Sequence, residues 1–102
     1  MYDITYSTKF KKSYKKVSKH QKFKRAEFEN VVTALQQHTA LDKKYDDHKV
    51  AKQSFPEIQG MRILHLSPNI CLIYKVLDSS NEIYLYDIGS HQDTGLTEDY
   101  IA

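Results

Sequence analysis

The stretch "ICLIYKVL", residues 70 to 77, constrains this chain more than any other. Only Lys75 interrupts its apolar character. A strand with one solvated face alternates apolar and polar residues. A short run that is apolar at both parities suits a strand covered on both faces. Such a strand is central, so it needs a neighbour on each side. "MRILHLS" precedes it across a Pro68–Asn69 turn, and "EIYLYDI" follows it across "DSSN" and ends at Gly89. Those turns are too short for crossovers, so the three strands form an antiparallel meander.

The first half of the chain carries a different period. "YDITYS" alternates as a short strand, with Tyr2, Ile4 and Tyr6 on one face. Ser7 or Thr8 can cap a helix in which Phe10, Tyr14 and Val17 form the buried stripe. Lys11, Lys12, Lys15, Lys16 and Lys19 fall off that stripe, and Ser18 breaks it. A second helix is expected from about His20 to Gln37, with Phe23, Ala26, Val31, Ala34 and Leu35 inward and Phe28 and Val32 beside them. The two helices form a hairpin. "HTALDKKYDD" reads as a loop, and "HKVAKQSFPEIQG", punctuated by Pro56 and Gly60, is ambiguous. The order is β-α-α-β-β-β, an α+β fold. The helical hairpin covers one face of a small, mostly antiparallel four-stranded sheet, and the other face is left as a shallow concave surface. At 102 residues, 1–102 is one domain.

Charge narrows the function. The net charge is only +2, yet nine basic residues and a single acid, Asp3, lie between Met1 and Arg25. From Ala26 onward there are six basic and twelve acidic residues. A focused basic patch attracts polyanions or an acidic partner. No apolar run approaches the ~18 residues of a membrane span, and no signal peptide is visible. The lone cysteine, Cys71, reads as a small buried hydrophobe, which fits a cytoplasmic setting.

Of five histidines, His20 and His38 read as ordinary exposed residues near helix ends. His48 follows an acidic pair, His65 lies late in a strand, and His91 follows Gly89–Ser90 just past the last strand. These three segments can converge at one side of the sheet. Close metal-ligand spacings and cysteine pairs are absent, as is a Gly-x-Ser-x-Gly elbow. Acid–base chemistry suits the histidines better, because imidazole titrates near neutral pH. Arg62 can clamp a phosphate in two-point geometry or form an ion pair with Glu57 or Asp87. Strict alternation sets Arg62 and His65 on opposite faces unless a bulge intervenes. Lys11, Lys12, Lys15 and Lys16 suit nucleic-acid phosphate, an acidic protein, or simply solvent.

Four stretches in order give a family resemblance: "STKFKKSYKKV" after the first strand, "LDKKYDDHKVA", "MRILHLSPNICLIYKV", and "IGSHQDTGL". The chain resembles the RelE/ParE toxin superfamily, and within it the YafQ-like branch of type II toxin–antitoxin modules. That resemblance implies the same β-α-α-β-β-β fold. It implies ribosome-dependent mRNA cleavage through the ribose 2′-hydroxyl, with no metal and no cofactor. His91 would protonate the leaving 5′-oxygen, His48 and His65 would supply base and phosphate-stabilising roles, and Arg62 would hold the phosphate. The partners implied are the ribosome, its mRNA and an acidic DinJ-type antitoxin in a hetero-oligomeric complex. Relatives often carry aspartate where this chain has Asn69, which cannot act as a base, so that role falls to His65 or His48. They also often carry an aromatic residue just after the terminal histidine, whereas here Tyr100 is the nearest. ParE-like members share the fold but inhibit DNA gyrase without cutting RNA, and that is the alternative.

Overall fold

The computed structural model describes residues 1–50, 60–67 and 69–90. Strand β1 (Asp3–Tyr6) leads into helix α1 (Thr8–Val17), then helix α2 (Arg25–Gln36). A 3-10 turn (Lys43–Tyr45) precedes a short strand β2 (His48–Lys49). Strands β3 (Arg62–Ser67), β4 (Ile70–Leu77) and β5 (Glu82–Ser90) follow. The sheet order is β1-β5-β4-β3-β2, with β4 in the middle as its composition requires. Strands β3, β4 and β5 are the expected antiparallel meander, while β1 runs parallel to β5 at one edge. The sheet therefore has five strands rather than four. The extra one, β2, is two residues long and pairs antiparallel with β3, too short to show a period in sequence.

Helix α1 begins where Ser7 accepts a hydrogen bond from the Phe10 N–H at 2.8 Å. The Ser7 hydroxyl donates in turn to the Tyr86 carbonyl, which ties the cap to β5. Helix α2 starts at Arg25, later than the apolar pattern suggests. Phe23 sits in the connecting turn instead and packs on Phe28, with ring centroids 6.2 Å apart. That is the geometry of a hydrophobic staple across a helix start, and it imitates one more turn of helical spacing. Ala26 is exposed on α2 rather than part of its inner stripe.

The helices cover one face of the sheet. Phe10, Val17, Val31 and Leu35 pack with Leu64, Leu72, Tyr74, Ile83, Leu85 and Ile88. The opposite face was expected to be open. It holds a second buried cluster of Val50, Ile63, Cys71 and Ile73, with Met61 and Tyr86 against it. Each fully buried aliphatic side chain stabilises the fold by about 1.5–3 kcal/mol. Cys71 belongs to this second cluster, its thiol facing the Gly89 carbonyl at 3.7 Å. Two irregularities mark the pairing. In β5, Tyr86 is the unopposed residue beside the Ile73/Tyr74 step. In β3, the register shifts between His65 and Ser67, leaving Leu66 unopposed. Bulges of this kind re-aim side chains near binding sites.

Candidate active site

The site is built around the turn that enters β2. Asp42 caps the 3-10 turn by accepting from the Lys44 N–H at 2.9 Å. Tyr45 is buried beneath it and donates its hydroxyl to Glu27 on α2. That bond pushes the Tyr45 phenol up to about 12, with burial adding to it, and holds the Glu27 carboxyl below its ordinary value. Lys44 completes the contact with Glu27 at 3.5 Å. The turn ends at Asp46, whose backbone is left-handed with φ 48° and ψ 47°. Aspartate and asparagine tolerate that region better than other side-chain-bearing residues.

From there the side chains diverge. Asp47 turns to the helix-covered face and accepts from Arg62, whose Nε is 3.3 Å from each carboxylate oxygen and whose Nη2 is 3.2 Å from Oδ2. The Tyr74 hydroxyl donates to the same carboxylate at 2.7 Å. The bond to Asp47 raises the Arg62 pKa further. Burial, then the neighbouring Asp47, lifts the Tyr74 phenol well above its usual range.

His48 faces the other way. It pairs with Ile63, and His65 lies two residues along the same strand, so both imidazoles share the face opposite the helices. The Nδ1 of His48 lies 2.6 Å from the Asp46 carbonyl oxygen. A carbonyl only accepts, so Nδ1 carries the proton, and a neutral His48 presents a bare Nε2. The Asp46 carboxylate stands between the two rings, 3.9 Å from His48 Nδ1 and 4.0 Å from His65 Nε2. His65 is 16% exposed at its side chain and opens onto a cleft of about 490 Å3. Lys22, Lys24 and Lys44 also line that cleft, with Asp46 and Ser67. Among the described residues, the buried Ser67 hydroxyl has no hydrogen-bond partner. His65, an orphan hydroxyl and three lysines around one opening, with His48 on the same sheet face as His65, suit a phosphate-bearing ligand.

The sequence-predicted residues divide. His48 and His65 are brought together. Arg62 is not with them: the β3–β4 register is regular from Arg62 to His65, and the bulge comes only after His65. Its ion-pair partner is Asp47, whereas Asp87 pairs with Lys9 at 3.7 Å and Glu57 lies outside the described residues. Asn69 is exposed in the turn between β3 and β4. Lys11, Lys12, Lys15 and Lys16 are exposed on α1, away from the histidine cleft. Lys11 and Lys15 instead flank a groove of about 670 Å3 between the helices, together with Arg25 and over Phe10, Tyr14 and Phe28. His20 lies in the interhelical turn, its Nδ1 accepting from the Lys22 N–H at 3.1 Å, and His38 is exposed beyond α2. His91 and Tyr100 lie outside the described residues. Asp46, Ser67 and the cleft lysines were missed in the sequence. The only hint was the acidic pair ahead of His48.

Residues 2–95 match the family model of YafQ, the bacterial toxin of a type II toxin–antitoxin system. The chain belongs to the YafQ toxin family. The matched span includes His48, Arg62, His65, Asn69 and His91. The fold is similar to that of a metal-bound toxin from Helicobacter pylori, 30% identical with a TM-score of 0.79, covering 91% of this chain and 98% of that one. It is similar to YafQ from Escherichia coli strain BL21(DE3), 27% identical with a TM-score of 0.75 and coverage of 92% and 98%. YafQ in the Escherichia coli DinJ–YafQ complex gives 28% identity, a TM-score of 0.74, and coverage of 91% and 97%. No protein of curated function matches the chain.

Proposed function

We propose that this YafQ-family toxin is an endoribonuclease that cuts mRNA on the ribosome by metal-independent acid–base catalysis. The observation that carries the reading is the shared face of His48 and His65 beside a lysine-lined cleft, with His48 Nδ1 held against the Asp46 carbonyl. In this mechanism His48 Nε2 removes the proton of a ribose 2′-hydroxyl. The 2′-oxygen attacks the adjacent phosphorus, and the bond to the 5′-oxygen breaks. His91 protonates that oxygen as it leaves. The products are a 2′,3′-cyclic phosphate and a 5′-hydroxyl. His65, with Lys22, Lys24 and Lys44, offsets the charge that builds on the phosphate oxygens. Arg62 contributes through Asp47, and the base role denied to Asn69 goes to His48.

Two of the Helicobacter pylori structures are described as metal-bound and copper-bound. Among the described residues of this chain, no three His, Cys, Asp or Glu side chains group as a metal centre, and no step is routed through one. The Escherichia coli relative is complexed with DinJ. The exposed lysines of α1 suit an acidic DinJ-like antitoxin in the same kind of hetero-oligomer, formed in the cytoplasm where ribosomes work. No helix among the described residues is long and apolar enough to cross a membrane.

The test is expression in cells followed by mapping of mRNA 5′ ends. New ends inside translated reading frames, lost in His91→Ala, are expected. Intact mRNA with damaged DNA would replace this reading with a ParE-like inhibitor of gyrase.

A further inference from the structure

We infer that Asp46 is a positioning residue of the histidine site, acting once through its backbone and once through its carboxylate. The inference rests on the proposed role of the histidines and adds a residue to it.

The backbone contribution follows from the left-handed turn. With φ 48° and ψ 47°, Asp46 aims its carbonyl at the ring two residues ahead, 2.6 Å from His48 Nδ1. Any residue has a carbonyl, but few hold this conformation without strain. The conformation is held from both sides. Before it, Tyr45 is fastened to Glu27 of α2. After it, Asp47 is fastened to Arg62 and Tyr74 of two neighbouring strands. The acidic pair thus divides its work: Asp47 anchors the chain on the helix face, and the anchored chain presents the Asp46 carbonyl to His48 on the other.

The carboxylate contribution follows from its location. Oδ1 is 3.9 Å from His48 Nδ1 and Oδ2 is 4.0 Å from His65 Nε2, so one carboxylate spans both rings. Its side chain is 69% exposed and packs into no core. The remaining charged groups of the cleft come from three other segments: Lys22 and Lys24 from the interhelical turn, Glu27 from α2, and Lys44 from the 3-10 turn. Glu27 is occupied by Tyr45 and Lys44. Among the described residues, Asp46 is therefore the cleft carboxylate that faces the imidazoles.

The experiment has two readouts on the full-length toxin. The first is the tautomer of His48 from imidazole 15N shifts of the neutral ring, which needs no substrate. The Nδ1–H form is expected in the parent and in Asp46→Asn, because asparagine accepts the left-handed turn and keeps the carbonyl. Asp47→Asn, which weakens the anchor, is expected to give mixed tautomers. An Nε2–H parent would overturn the inference whatever the activity. The second is steady-state cleavage of mRNA in programmed ribosomes. Asp46→Asn is expected to lower kcat by about 10–100-fold with KM within about twofold, the pattern of misplaced catalytic groups. Asp46→Glu is expected to recover part of that loss. Parental kcat in Asp46→Asn, with His48→Ala and His65→Ala inactive, would overturn the role of Asp46 and leave the mechanism standing. Parental kcat in all three would overturn the mechanism itself.

Discussion

Arg62 shows how far a single residue's partner can alter its meaning. In sequence it reads as a phosphate clamp, because it precedes His65 by three positions and is the only arginine in the second half of the chain. In the fold its guanidinium is committed to Asp47, fifteen residues earlier and across a strand boundary. No local pattern encodes that pairing. It arises because the chain entering β2 sends Asp47 and His48 to opposite faces, Asp47 to Arg62 and Tyr74 and His48 beside Ile63. The pair is part-buried, with side-chain exposures of 34% and 21%, so its loss costs less than that of a fully buried one. Arg62→Ala should destabilise the protein by about 1–3 kcal/mol, leaving Asp47 with Tyr74 as its partner among the described residues. Asp47→Ala should cost a similar amount, and the double variant little more than either. Denaturant unfolding of the four proteins checks this cycle. If Arg62 held substrate instead, Arg62→Ala would leave stability unchanged and raise KM.

Elements were legible to the extent that burial writes a period. Strand β4 is covered on both faces and reads as an unbroken apolar run, and α1 has an apolar stripe set against lysines. Strand β2 was illegible because two residues make no period, and its place comes from pairing with β3. The start of α2 was placed too early because Phe23, packed from the turn, keeps helical spacing with the residues that follow. The α1 lysines make a separable contribution. They lie outside the histidine cleft, so their expected contribution is long-range attraction to ribosomal RNA or antitoxin rather than a part in cleavage. Replacing Lys11, Lys12, Lys15 and Lys16 by Gln should keep unfolding within about 0.5 kcal/mol of the parent, as is usual for exposed positions. Ribosome association measured across a salt series should weaken, and its log–log slope should fall by up to about 3–4. An unchanged slope would make the lysine face a solvated surface only.

At the scale of the molecule, the β-α-α-β-β-β order sufficed to place the helices on one face of the sheet, while the face shared by His48 and His65 emerged only from the pairing of β2 with β3. It could not show what lines the cleft. Lys22, Lys24 and Lys44 come from two loops, and Tyr45 and Lys44 of the second reach Glu27 just beyond the first. Nor could it assign the base, since the His48 tautomer depends on a backbone angle at Asp46. The last strand carries the chain to Ser90, paired with Ile70, and Ile70 also pairs with Ser67 of β3. Ser90, which precedes His91 in sequence, therefore lies across β4 from Ser67 of β3. In the proposed mechanism histidines, acting as base and acid, cut the RNA. The measurement closest to it is the single-turnover cleavage rate of mRNA in the A site of programmed ribosomes, for the parent, His48→Ala and His91→Ala, with thermal unfolding alongside. Each variant should lose roughly 10²–10⁴ in rate while unfolding at nearly the parental temperature. Cleavage at the parental rate by either folded variant would contradict the assignment of that histidine, and by both would contradict histidine catalysis altogether.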